Sequence, residues 1–217
     1  MYLTRMKLDT KRRSTMLALA SPSRIHGAIE SSFPGERTRR LWRIDSLQGE
    51  TYLLLLSEET VDLSNVYDQF GSVLSNHNDD MWETRSYTPL LERIEEGTRW
   101  HFRLVACPVS SISSLRKEGE TRGKVTAHVT VSQQKEWLLA RAEKNGFSLG
   151  KDDFEVVHRE TKRFKKGSNK NTVTLCAATY EGILTVMDKE KFCHLLTNGI
   201  GKGKAYGLGM MTVIRNG

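Results

Sequence analysis

At 217 residues, 38% of them apolar, the chain has room for one large or two small domains around a modest core. No apolar run approaches the roughly 20 residues that a membrane span requires. The opening Met1 to Leu8 reads as a strand with no signal-peptide core, so a soluble, cytoplasmic protein is expected. The net charge of +7 is uneven: residues 1–95 hold 12 Lys+Arg against 14 Asp+Glu, and residues 96–217 hold 21 against 12. That asymmetry points to a polyanionic partner for the second half. Cys107, Cys176 and Cys193 form no CxxC pair and no zinc spacing, so buried thiols in a reducing compartment are expected, and no metal or other cofactor.

Tyr2 to Leu8 alternates as a strand. A helical region runs from about Lys11 to Phe33 with a restart at Ser21, because Pro22 suits only a first turn. Ile25, Ile29 and Phe33 then share one face. Leu41 to Leu47 and Thr51 to Ser57 form a hairpin across Gln48-Gly49-Glu50. A short helix follows over Leu63 to Phe70, then a polar loop to Asp80 that contains His77, then a strand over Glu83 to Ile94 weakened by Pro89. The order β-α-β-β-α-β is the ferredoxin-like one.

The second half repeats that order without repeating the sequence. Trp100 to Pro108 is a strand, and Ser110 to Lys124 a polar loop. Ser132 to Lys144 is a helix stopped by Asn145-Gly146. Phe154 to Phe164 and Thr172 to Met187 are strands, Asp188 to Asn198 a helix, and Met210 to Arg215 the last strand. The expected architecture is therefore α+β, two tandem ferredoxin-like (RRM-like) domains over residues 1–95 and 96–217.

Three stretches carry possible chemistry. Gly199 to Gly209 holds five glycines with Lys202 and Lys204 between them. It matches neither GxxxxGK[ST] nor GxGxxG. It reads either as a tight helix-to-strand turn or as an anion-binding nest of backbone amides. The turn region from His158 to Lys170 carries six Lys or Arg against the single acid Glu160. A basic ribbon of this kind can follow a nucleic-acid backbone, or can merely protect a sheet edge. His26 sits one position from the Ile25/Ile29 face, near the start of a helix whose N-terminus disfavours a cation; it is either a structural histidine or a neutral proton acceptor. His77, His101, His128 and His194 form no constellation, and no HExxH or GxSxG is present.

Ser21 to Ala28, Trp137-Leu138 through Gly146-Phe147, Gly182 to Val186 and, above all, Gly199 to Gly209 resemble the CasE family, the CRISPR-associated endoribonucleases of type I-E Cascade complexes. The resemblance spans most of the chain in order. It implies two ferredoxin-like domains and metal-independent cleavage of precursor CRISPR RNA at the 3′ base of each repeat hairpin. In that reaction a ribose 2′-OH attacks the adjacent phosphate. The protein then stays on its product as a Cascade subunit, so the implied partners are the repeat RNA hairpin and other Cascade subunits, with no membrane. The family histidine falls on His26 as general acid or base. The position of a tyrosine found three residues earlier in many members holds Ser23, which keeps a shorter hydroxyl. Arg24 is a nearby phosphate-stabilising cation. The RNA-binding residues implied are Arg159, Lys162, Arg163, Lys165 and Lys166 of the basic hairpin, with Lys202 and Lys204 of the glycine-rich loop. Two alternatives stand beside this reading: a non-catalytic subunit that binds the RNA hairpin, and an unrelated basic component of a ribonucleoprotein.

Overall fold

The computed structural model describes residues 1–35, 38–73, 80–112, 124–165 and 172–215. In the first half, β1 (Tyr2–Leu8) is followed by α1 (Arg13–Ala20) and α2 (Pro22–Ser31), and β2 (Leu41–Leu47) by β3 (Glu50–Ser57). Next come α3 (Ser64–Phe70), β4 (Glu83–Ser86) and α4 (Thr88–Glu92). The helix restart at Ser21 is present, with Pro22 in the first turn of α2 where its missing N–H costs nothing. The β2–β3 hairpin is tighter than expected. Leu47 pairs with Glu50 across only Gln48 and Gly49, and both take positive φ, 53° and 80°, as such a two-residue turn requires. The four strands run in the order β2-β3-β1-β4, all neighbours antiparallel, which is the ferredoxin-like arrangement. Glu83 to Ile94 is not one strand. It ends at Ser86, and Pro89 falls in the first turn of α4, because proline cannot donate to a ladder yet has the φ a helix start needs.

The second half begins with β5 (Arg99–Ala106), then β6 (Val109–Ile112), β7 (Lys124–Ala127) and α5 (Val131–Ala142). It continues with β8 (Phe147–Ser148), β9 (Phe154–Lys165), β10 (Thr172–Val186), α6 (Lys189–Asn198) and β11 (Met211–Arg215). Helix α5 starts at a capping box: the Thr130 side chain accepts from the Gln133 backbone, and the Gln133 side chain reaches back. It stops where Gly146 turns left-handed. The sheet order is β11-β5-β10, with β9 on the outer edge of most of β10 and β8 pairing that edge near its end. This is the ferredoxin-like order again. Ser110 to Lys124 is not wholly a loop: its two ends pair as the β6–β7 ribbon, and residues 113–123 lie outside the described part. The Trp137 indole donates to the Val109 carbonyl at 3.2 Å and so fastens the ribbon to α5. His77 also lies outside the described residues.

Two cores result. Met6, Leu53 and Leu55 of the first sheet pack under Ile25, Ile29, Val66 and Phe70 of its helices. Trp100, Phe102, Leu104 and Tyr180 of the second sheet pack under Trp137, Leu138, Phe192 and Leu196. Strand β2 joins them. Strand side chains alternate, so Trp42 faces the first core while Leu41 on the opposite side joins the second. Arg43, only 1% exposed, completes the seam. Its guanidinium donates to the carbonyls of Arg103 and Met210, to the Thr212 hydroxyl and to the Asp45 carboxylate. One side chain of the first sheet thus binds two strands of the second.

Candidate active site

The seam formed by β2 also seats the glycine-rich loop. Asn198 ends α6, and the Ile200 N–H donates to the Gly209 carbonyl at 2.9 Å, closing the loop at its neck. Gly209 has φ +87°, and a Cβ there would lie 2.3 Å from the Ile200 carbonyl oxygen, so only glycine fits the neck. At the tip, Lys204 to Tyr206 make one 3-10 turn between Gly203 and Gly207, both left-handed. Gly207 lies flat on the Trp42 ring, which a Cβ would approach to 2.6 Å. The tight turn expected from sequence is present, and it holds Lys204 beside α2.

Lys204 and His26 line one open cleft of about 580 Å³ together with Glu30, Arg39, Arg40 and Asn198. His26 comes from the first half, its neighbours Ile25 and Ile29 buried beneath it, and Lys204 comes from the second. Lys204 Nζ donates to the Gly201 carbonyl at 3.2 Å. Burial, with the charge of Arg39 beside it, pulls the Lys204 ammonium below its ordinary pKa. Two cations crowded in a half-buried cleft are relieved by an anion. Arg40 faces a carboxylate, Glu30, at 3.2 Å and covers the Phe33 ring at 4.0 Å. The cleft thus offers an imidazole for proton transfer and at least two cations for negative charge.

The structure brings together His26 and Lys204 of the residues singled out from sequence. It adds Arg39, which sequence reasoning did not name. Ser23 and Arg24 lie on the turn before His26 and are not part of the cleft wall; the Ser23 hydroxyl is 3.1 Å from that of Ser21, and Arg24 is exposed. Lys202 is exposed on the near limb of the loop, where its backbone bridges to Cys107.

The basic hairpin is β9 paired with β10, from Lys165 opposite Thr172 through Arg163 opposite Thr174 to Arg159 opposite Ala178. Its cations do not form one row. Arg159, Arg163 and Lys165 occupy alternate positions and are exposed on one face. Lys162 is on the other face, ion-paired with Glu160 at 3.1 Å, and shares a small cavity with Pro22, Ile25 and Tyr206 between the two halves. Lys166 lies outside the described residues. Arg159 donates to the Val129 carbonyl at 3.3 Å, which ties the hairpin to the start of α5.

Two ferredoxin-like folds in tandem, sharing one cationic cleft with a histidine and flanked by a basic hairpin, define a nucleic-acid-handling protein of the RRM-like kind. The chain belongs to the CRISPR-associated protein family, whose profile it matches over residues 1–215. It is 28% identical over 225 residues to the CRISPR-associated endoribonuclease Cse3 of Thermus thermophilus, covering 98% of this chain and 99% of that one. It is 24% identical over 123 residues to the Cascade subunit CasE of Escherichia coli, covering 56% of this chain and 60% of the relative. Among solved structures, Cse3 bound to a 19-nucleotide RNA superposes with a TM-score of 0.79 at 26% identity, over 99% of this chain and all of that one.

Proposed function

We propose that the protein is a metal-independent endoribonuclease that binds the hairpin of CRISPR repeat RNA, cleaves the precursor at the hairpin's 3′ base, and stays on the product as a Cascade subunit in the cytoplasm. Residues 1–95 supply His26, and residues 96–217 supply the hairpin and the glycine-rich loop. The observation that carries the reading is the cleft shared by His26 and Lys204 with Arg39. It accords with what the relatives are named for: an endoribonuclease, and a Cascade subunit.

The chemistry suits these parts. A ribose 2′-oxygen forms a bond to the adjacent phosphorus while the bond to the 5′-oxygen breaks, leaving a 2′,3′-cyclic phosphate and a 5′-OH. One proton leaves the 2′-OH and one reaches the 5′-oxygen; His26 takes one of these two transfers. Arg39 and Lys204 meet the charge that develops on the non-bridging oxygens. Ser23 and Arg24, one turn earlier on α2, flank the scissile nucleotide. Arg159, Arg163 and Lys165 on the outward face of β9 bind the stem through its phosphates, since the deep major groove of A-form RNA hides its base edges. Lys162 and Lys166 of the same hairpin, and Lys202 of the loop, add phosphate contacts.

The deciding experiment is cleavage of the host's own repeat RNA in excess EDTA. Cleavage at one site, abolished by a 2′-deoxy at the scissile ribose, is expected. Tight binding without cleavage would move the protein to the non-catalytic subunit class, a reading that the serine at position 23 keeps in play. A second expectation concerns the hairpin face. Replacing Arg159, Arg163 and Lys165 together by alanine should weaken RNA binding and flatten the dependence of log K on log salt by about 0.7–0.9 for each phosphate no longer neutralised. An unchanged salt slope would remove these residues from the interface.

A further inference from the structure

A second cleft, of about 610 Å³, lies on the same face as Arg159, between β9 and the start of α5. Its wall mixes valines and two imidazoles with the polar Gln134 and one charge of each sign, Arg159 and Glu160. Val129 is 65% exposed and Val157 51% exposed, and the imidazoles of His128 and His158 stand with them. Gln134 forms part of the same wall and is only 3% exposed. Its Nε2 donates to the His128 carbonyl at 3.0 Å, which fixes the orientation of the amide. Its Oε1 receives no donor among the described residues. A buried acceptor left without a donor is costly, and native structures resolve such groups with a ligand or an ordered partner.

We propose that this cleft takes one unpaired RNA base bearing an exocyclic amino group, whose N–H donates to Gln134 Oε1 while its ring lies against His158 and Val157. The proposal rests on the RNA-binding reading and deepens it. Two observations favour a nucleobase. The imidazoles and valines supply flat apolar surface of the kind that accepts a splayed base. Arg159 lines the cleft and shares its strand face with Arg163 and Lys165, so a backbone held by these cations leads into it. The pocket lies away from the His26 cleft and shares no wall residue with it, so it acts on recognition and not on bond breaking.

The test uses the full chain and the host repeat hairpin, made uncleavable by a 2′-deoxy at the scissile ribose, with single-stranded flanks of uridine only. One adenosine is walked through the flanks and then exchanged for purine riboside, which lacks the amino group. One position is expected at which adenosine binds about ten-fold tighter than purine riboside, the loss typical of a polar site left unpaired. With Gln134→Leu that difference should fall below about two-fold, whereas His158→Ala should weaken both RNAs alike. Should Gln134→Leu fail to fold, the adenosine-to-purine comparison on the unaltered chain still decides. Indifference to the position and identity of every flanking base overturns the proposal, as does discrimination that survives Gln134→Leu. If the hairpin binds and its 2′-OH form is cleaved but no flank position matters, the pocket assignment fails and the endoribonuclease reading stands. If no hairpin binds at all, the underlying reading fails with it.

Discussion

Replacing His26 by alanine should lower the single-turnover cleavage rate by about 10²–10⁴-fold, the usual contribution of one positioned acid or base, and leave the affinity for the repeat hairpin within a few-fold. The separation follows from where the side chain lies. His26 lines the cleft, and the apolar anchors of its helix, Ile25 and Ile29, point the other way into the first core. Removing the imidazole therefore deletes a cleft wall without opening a cavity in that core. The cations proposed to hold the stem are on β9, not on α2. Rates at saturating protein and a binding isotherm on 2′-deoxy RNA separate the two effects. Parallel losses in rate and affinity would instead make His26 a structural residue. A rate unchanged in the variant would pass the proton-transfer role to another group, and Lys204, which the second half places in this cleft, would be the first to test.

Much of this arrangement was legible in the sequence, because periodicity is a local property. The alternation of Tyr2 to Leu8 gives β1, and the spacing of Ile25, Ile29 and Phe33 gives the buried face of α2. Where local signals conflict, the reading fails. Thr88-Pro89 looks like a flaw in a strand, but it starts a helix, since the fixed φ of proline suits a first helical turn. Sequence places the six cations of the hairpin side by side. Strand geometry deals the four described ones to two faces, so Lys162 joins Glu160 in the seam while Arg159 and Arg163 face outward. Arg39 was missed for a different reason: nothing near it in sequence marks it out except the basic run Arg39-Arg40 just ahead of β2. Its significance comes from Lys204, which the glycine-rich loop carries across the seam to meet it. Long-range meetings of this kind are set by tertiary packing, and no window of local sequence contains them.

Arg43 is where the packing that makes those meetings is most exposed to challenge. Arg43→Met should destabilise the protein by about 3–5 kcal/mol, the usual cost of removing one partner from a buried ion pair. At about 2–4 °C per kcal/mol for a chain of this size, that is a fall in Tm on the order of 10 °C. Four groups lose a donor at once. The Arg43 Nη1 bonds to the Arg103 and Met210 carbonyls, at 3.0 and 2.9 Å, disappear. So does the Nη2 bond to Thr212 at 2.8 Å. The Asp45 carboxylate, held at 2.8 and 2.6 Å by Nε and Nη2, keeps only Arg103, at 3.3 Å. If the carboxylate left behind is the main cost, Arg43→Met combined with Asp45→Leu should recover part of the loss, and a double-mutant cycle measures how much. The same change should slow cleavage more than it weakens stem binding. Met210 follows Gly209 at the neck of the glycine-rich loop, so freeing its carbonyl loosens the segment that sets Lys204 opposite His26, while β9 and its outward cations remain anchored on β10. A variant with an unchanged Tm would mean that the Leu41 and Trp42 contacts on either side hold the seam without the guanidinium. One that loses stability yet cleaves at the full rate would mean that the loop keeps its place through Gly207 and Trp42 alone.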